Sequence, residues 1–475
     1  MLFTSIEYFI FLLASLIVFY VTPVKYRNYI LILASLIFYM YVKVSYVLII
    51  VSIITANYFI GIKIETGTDK LLKTRYLYLG LLINLGILVY FKYWNSIIDN
   101  YFDLFYNNSL KNKYLLAEVI LPLGLSYYIF QTIGYILDIY RGSIKAEKDF
   151  LKFSLFTLFF PKLLVGPIER AKNLLPQIAV DHLFIKENII AGSKTILWGI
   201  FKKIVVAERI SLYVDAVYSN LPNHNSLTFY FATFLYPIQV YADFSGYTDM
   251  ALGSAKLFGY DLMDNFKRPL FAKNVSDFWR RWHISLSTWV NDYIYKPITY
   301  QRRDWGNIGV FYALLISFVV IGIWHGATWN FVVFGILQAS ALIFEVLTKN
   351  VRKKISGKIT VPVYNIASII LTFLFFSFSL IVFRTTTIAG AANIVNIMFS
   401  APGEIYVDNI STIIYIAIGS VILLIADLHK ENGLFGHFIF QNNKWVLQQI
   451  FFSFLVIYIL VAGVFDGGQF IYFAF

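Results

Sequence analysis

Two of the six histidines stand where an imidazole could do chemistry. His325 lies in Gly322-Ile-Trp-His-Gly-Ala-Thr-Trp-Asn330, between two strongly apolar runs. An ionisable side chain at such depth marks a functional position by default. Its structural alternative is a buried histidine bonded to a backbone carbonyl. Gly322 and Gly326 are one helical turn apart, a spacing that lets another helix come close. His283 lies in Ser276-Asp-Phe-Trp-Arg-Arg-Trp-His-Ile-Ser-Leu-Ser-Thr-Trp289. At helical spacing Phe278, Trp282, Leu286 and Trp289 form one aromatic-apolar stripe. Trp279 and His283 are i,i+4 neighbours, and Asp277 is placed to pair with Arg281. These features predict a basic, tryptophan-rich helix that lies at an interface or re-enters the membrane. Its alternative role is a membrane-surface anchor. His182, His224, His429 and His437 sit in or beside polar connections and read as solvated loop residues.

Acyl transfer from a thioester to a hydroxyl needs a base of near-neutral pKa, which imidazole supplies. It also needs donors for the developing oxyanion, such as Asn, Trp N–H, backbone N–H or Arg. Trp329 and Asn330 follow His325 by about one helical turn, and His283 could donate or orient. Cysteine is absent, which excludes disulfides, thiolate metal sites and cysteine nucleophiles. No HExxH spacing or further ligand group supports a metal, so none is expected. A GxSxG elbow, a P-loop and a dinucleotide fingerprint are also missing.

The elements that must position these residues are membrane helices. Hydrophobic residues make up 59% of the chain and charged residues only 14%, against about a quarter charged in soluble domains. The solvent must be largely lipid. The net charge of +12 sits in short loops between apolar runs, which fits bilayer orientation rather than nucleic acid. Spans of roughly 20 residues are expected near 6–22, 28–42, 44–62, 76–95, 115–137, 188–206, 226–244, 307–324, 328–348, 363–384, 409–426 and 447–464. The first is read as a retained span rather than a signal peptide. Lys25 and Arg27, the loop 63–75, the loop 138–152 and the stretch 349–358 are basic, whereas 385–410 has no Lys or Arg. The positive-inside rule then puts both termini outside and the basic loops in the cytoplasm. For the count of crossings to close, the run 150–166 must not span. It carries Lys162 and the breakers Pro161, Gly166 and Pro167, and is expected to be re-entrant or interfacial. No internal repeat or linker is visible, so residues 1–475 read as a single membrane domain with an aromatic tail at 465–475.

The two histidine segments, Asp277 to Trp289 and Gly322 to Phe331, resemble the membrane-bound O-acyltransferase family. They are most similar to the bacterial branch that O-acetylates alginate, peptidoglycan and other envelope polysaccharides. Leu121-Pro-Leu-Gly-Leu-Ser-Tyr-Tyr-Ile-Phe-Gln131, Asp138-Ile-Tyr-Arg-Gly142, Gly166-Pro-Ile-Glu-Arg170 and Tyr241-Ala-Asp-Phe-Ser-Gly-Tyr-Thr-Asp-Met-Ala-Leu-Gly253 extend the likeness over most of the chain. The resemblance implies an all-α polytopic bundle of about 11–12 spans plus re-entrant or interfacial helices around a central tunnel. It implies His325 as the catalytic histidine and His283 as the second family histidine. Trp279, Arg280, Trp282, Trp324, Trp329, Asn330 and Asp243 would support the site or line the tunnel. The donor would be a cytoplasmic thioester, acetyl-CoA in this branch, with no bound cofactor. The protein would sit in the cytoplasmic membrane with an exported acetyltransferase as partner. Two departures bear on donor or acceptor preference. Asn291-Asp292-Tyr293 stands where close relatives read Arg-Asp-Tyr, and Pro297-Ile-Thr-Tyr300 where they read Pro-Leu-Gly-Gly.

The last six residues, Phe470-Ile-Tyr-Phe-Ala-Phe475, are similar to the aromatic terminus of the small partner peptide used in teichoic-acid D-alanylation. Tyr472 is thus a candidate transient acyl carrier, with an interfacial aromatic anchor as its alternative. D-alanyl transfer to teichoic acid from a carrier protein is a second enzymatic reading. A transporter or flippase without chemistry is the reading from another class.

Overall fold

The computed structural model describes residues 1–41, 43–105, 119–432 and 445–465. Tyr472 and the rest of the aromatic tail beyond residue 465 lie outside the described residues, as does His437. Helices make up the described secondary structure, with no strand among these residues. Six helices are long and apolar enough to cross a membrane: Ser45–Thr66, Lys70–Asp99, Asn307–His325, Trp329–Leu347, Val361–Arg384 and Ile410–Glu431. Ile6–Val21, Ile388–Ser400 and Val446–Ala462 are shorter apolar helices. The exposed faces are apolar too. Ile6–Val21 buries Tyr8, Leu12 and Phe19 while Ile6, Ile10, Leu13 and Ile17 are all more than half exposed. A helix apolar on both faces is at home only against lipid. The chain is an all-α, multi-pass membrane protein.

The residues gather into two compact units. The first comprises Met1–Ser193 and Ala251–Met263. Its helices Ser45–Thr66, Lys70–Phe105 and Leu125–Tyr140 are joined by buried amides, as expected where lipid offers polar groups no partner. Asn57 and Asn84 exchange side-chain bonds of 3.2 and 2.8 Å, and Thr132 Oγ1 donates to Asn84 Oδ1 at 2.9 Å. The run 150–166 is broken, as its Pro and Gly residues predict. Helix Phe150–Leu158 stops at Phe159, and a single turn follows at Phe160–Leu163. Every residue from Phe153 to Ala171 is buried, so the irregular backbone is enclosed by protein. Lys162 Nζ donates to Gln131 Oε1 at 2.6 Å. Gly124 begins helix Leu125–Tyr140 at φ 76, and a Cβ there would stand 2.2 Å from the Leu163 carbonyl oxygen. Conformation and space both require glycine at this position.

The second unit comprises Lys194–Met250 and Asp264–Phe475. Helices Asn307–His325 and Trp329–Leu347 form a hairpin closed by small residues. A Cβ on Gly322 would lie 2.2 Å from the Phe331 carbonyl oxygen, and one on Gly335 2.3 Å from that of Phe318. The close approach that the glycine spacing predicts is made by the helix that follows. Helix Ser226–Leu257 extends well past the expected 226–244 and carries Pro237 inside it. The expected connector 385–410 contains a helix, Ile388–Ser400, which Thr387 caps by accepting from Gly390 N at 3.0 Å. Charge counting cannot reveal a helix that carries no charge.

Candidate active site

The predicted helix through 276–289 is two short helices, Val275–Arg281 and Ile284–Val290. Trp282 is extended, and His283 follows in the left-handed region at φ 42. The i,i+4 relation of Trp279 to His283 and the single stripe are therefore corrected. Phe278, Trp282, Leu286 and Trp289 are all buried, which also rules out a surface anchor. The Asp277–Arg281 pair does form, at 3.1 Å.

A left-handed non-glycine residue persists only where its surroundings hold it. Here Asn265 does so. Its backbone carbonyl accepts from Ile284 N at 2.9 Å, and its Oδ1 accepts from Ser285 N at 3.1 Å and Ser285 Oγ at 2.9 Å. His283 Nδ1 lies 3.2 Å from the same oxygen. That oxygen can only accept, so Nδ1 carries the proton and the Nε2 lone pair faces away from Asn265. Complete burial pushes the imidazole pKa down to about 3, so the ring is neutral at physiological pH.

The rest of the loop is clasped at its base. Glu431 accepts from Arg281 Nη1 at 2.8 Å and Arg268 Nε at 2.7 Å. Arg268 is the other left-handed non-glycine residue, at φ 51. Lys267 N donates to the Arg281 carbonyl at 2.9 Å. These bonds tie the His283 turn to the end of helix Ile410–Asn432 through charge-assisted contacts.

His325 closes helix Asn307–His325 and is buried. Its ring lies edge-on to Trp324 at 5.0 Å and to Phe383 at 5.3 Å between centroids. Trp324 also meets the His283 ring, at 5.6 Å, and Phe244 packs on His283 at 4.8 Å. The two histidine rings thus meet one buried indole among aromatic side chains. Trp279 and Trp282 are buried nearby in the same segment as His283. Trp279 Nε1 donates to Gln338 Oε1 at 3.2 Å, and Trp282 packs on Phe278 at 5.4 Å.

Three expected site residues are placed elsewhere. Trp329 is 71% exposed and supplies no donor to a buried oxyanion. Asn330 is buried, but its Nδ2 donates to the carbonyls of Val382 and Thr385 at 3.1 and 2.8 Å and to Thr385 Oγ1 at 3.0 Å. It fastens the end of helix Val361–Arg384. The Arg280 side chain is 70% exposed and pairs with Asp277 at 3.6 Å. Of the histidines read as solvated, His182 is half-buried, its ring tilted 3.9 Å from that of Tyr260 and its Nε2 2.7 Å from the Gln177 carbonyl oxygen, and His429 is buried.

Asp243 belongs to a buried charge cluster that the motif analysis passed over. Residues Phe201–Ala207 form a π-helical turn, all buried, which carries Lys202 and Lys203. Lys203 Nζ pairs with Asp243 Oδ1 at 2.6 Å and with Glu208. Lys202 Nζ pairs with Asp249 Oδ2 at 2.6 Å and donates to Ser245 Oγ at 2.9 Å. Tyr241 OH donates to Asp427 Oδ2 at 2.7 Å. A Cβ on Gly199 would lie 2.6 Å from the Gly246 carbonyl oxygen, so the two glycines admit the close helix contact on which these pairs depend. The available signal was the Lys202-Lys203 pair inside an apolar run, since charges at such depth need partners.

A family model, the membrane-bound O-acyltransferase family, matches residues 144–385. The chain is 33% identical to the probable alginate O-acetylase AlgI of Pseudomonas syringae pv. tomato, over 84% of this chain and 74% of that protein. It is 30% identical to the peptidoglycan O-acetyltransferase of Helicobacter pylori, over 74% of this chain and 69% of that protein. It is 29% identical to the teichoic acid D-alanyltransferase of Bacillus subtilis, over 55% of this chain and 68% of that protein. A buried histidine pair on a membrane scaffold, the family match and these relatives converge: the chain is an enzyme of the membrane-bound O-acyltransferase family.

Proposed function

We propose that this acyltransferase moves an acetyl group from a cytoplasmic thioester, acetyl-CoA, to a hydroxyl of a cell-envelope polysaccharide, with His325 as general base. The observation that carries the reading is the contact of both buried histidines, His325 and His283, with the same buried indole, Trp324. In the proposed reaction, His325 takes the proton of the attacking hydroxyl as the oxygen bonds to the thioester carbonyl carbon. The carbon–sulfur bond breaks, and the proton passes to the departing thiolate. His283, neutral with its proton on Nδ1, orients the neighbouring indole and offers Nε2 as an acceptor. Excluding water from such a site protects the thioester from hydrolysis. The enzyme works in the cytoplasmic membrane, and an exported acetyltransferase completes delivery. Tyr472 is the proposed carrier between them, its phenol oxygen holding the acetyl group as an ester.

The test uses proteoliposomes supplied with radiolabelled acetyl-CoA, together with mass spectrometry of envelope glycans from cells with and without the protein. The reading requires O-acetyl groups on the glycan that vanish in His325→Ala and in Tyr472→Phe at unchanged protein level. Unaltered acetylation in His325→Ala ends the general-base assignment, and in Tyr472→Phe it ends the carrier. D-alanyl transfer is kept as a second reading because of the likeness to a teichoic acid D-alanyltransferase. Alanyl esters in place of acetyl esters would establish it.

A further inference from the structure

The segment between helices Ala171–Ile178 and Lys186–Ile200 is a connection, yet it turns large apolar side chains outward. Val180, Leu183, Phe184 and Ile185 are 58%, 62%, 64% and 46% exposed. In water such positions are polar, and a cluster of this kind marks a surface that meets something apolar. Beside it opens a cleft of about 90 Å³ lined by Lys25, Arg27, Lys152, Asp181, His182 and Tyr260 among others. Three cations thus face one carboxylate.

The charge pattern of two segments places this cleft at the cytoplasmic edge of the bilayer. Lys25 and Arg27 follow directly on the apolar helix Ile6–Val21, and Lys152 ends the basic loop 138–152. The charge pattern assigns both segments to the cytoplasmic side, and the fold brings them to one cleft. Its floor is preformed. Arg27 donates to the carbonyls of Thr22 and Tyr20, each at 3.1 Å, and to that of His182. Asn28 Nδ2 donates to the Ile178 carbonyl at 3.1 Å. With Arg27 held on carbonyls, it contributes mainly its field. Lys25 and Lys152, on flexible stems, are the groups that can close on a ligand.

We propose that this cleft binds the phosphate of an anionic phospholipid of the cytoplasmic leaflet, with its acyl chains over Val180, Leu183, Phe184 and Ile185. Charge complementarity selects the phosphate, and the exposed apolar rim selects a lipid over a soluble phosphate, for which that rim has no use. The site lies within the first unit and does not depend on the acyl-transfer reading.

The full chain in detergent is titrated with phosphatidylglycerol, phosphatidylcholine and glycerol 3-phosphate, and bound ligand is counted by native mass spectrometry. Phosphatidylglycerol is expected to bind in preference to phosphatidylcholine. Lys25→Gln with Lys152→Gln should weaken it about thirtyfold, the effect of two interfacial lysines. Lys25→Arg with Lys152→Arg should retain it, which separates charge from folding. Leu183→Ser with Phe184→Ser should weaken phosphatidylglycerol binding as well. Equal phosphatidylglycerol affinity in the glutamine variant overturns the proposal. Displacement of phosphatidylglycerol by glycerol 3-phosphate at equal concentration overturns the lipid assignment.

Discussion

His325 and His283 meet the same indole, but the chain delivers them by opposite means. His325 is the last residue of a regular apolar helix, and its position follows from a hairpin that glycines allow to close. His283 sits on a left-handed turn that no local preference favours, held by Asn265 and, more remotely, by Glu431. One histidine sits where a helix packed by glycines brings it, and the other on a turn held by hydrogen bonds, which fix the nitrogen that carries its proton.

That contrast can be broken most decisively at His325. His325→Ala should lower acyl transfer by about a thousandfold, within the range of a lost general base. The unfolding midpoint in detergent should fall only by the cost of a large-to-small change at a packed site, and loss of the folded protein itself would make the residue structural. Next in size is Lys203→Met, which leaves Asp243 and Glu208 buried without their cation. Such a loss costs about 3–5 kcal/mol, so the folded yield should collapse, with partial recovery when Asp243→Asn and Glu208→Gln are added.

Gly322→Ala probes the packing side of the comparison. The added methyl meets a backbone carbonyl oxygen. It should destabilise the hairpin by about 1–3 kcal/mol and lower activity with it, as read by unfolding midpoint and transfer rate. His283→Gln probes the hydrogen-bonded side through pH. The folded pKa of His283 is about 3, below the value of 6.5 for the free side chain. Its contribution to stability is therefore full above pH 6.5 and is lost as pH falls toward 3, at up to about 1.4 kcal/mol per pH unit. Unfolding midpoints at pH 7 and pH 5 should diverge less in the glutamine variant than in the native chain. The smallest effect is expected at Trp329→Ala, which alters an exposed side chain and should change transfer less than about twofold, well below the usual cost of a lost catalytic donor.

Glu431, Lys202 and Lys203 differ in how visible they were. A lysine pair inside an apolar run is a signal that partners exist, although it does not name them. Glu431 lies far along the chain from the arginines it holds, and Asn265 is an ordinary polar residue in a loop. Neither carries a pattern that points to His283. Asn330 shows the converse. Its place one turn beyond His325 suggested a donor for the reaction, and the fold gives its amide three acceptors at the end of another helix.

The order of apolar and polar residues alone determined that the chain lives in lipid, the rough course of most of its long apolar helices, that the run at 150–166 breaks, and that His325 is buried. These follow from local free energies of transfer and backbone geometry, which depend on neighbours in sequence. Only the tertiary structure decided that the tryptophan-rich segment bends at His283, which nitrogen of that ring carries the proton, and which tryptophan faces both histidines. Those outcomes depend on contacts between segments distant in the chain, and the bonds that fix them become favourable only when the helices are already packed.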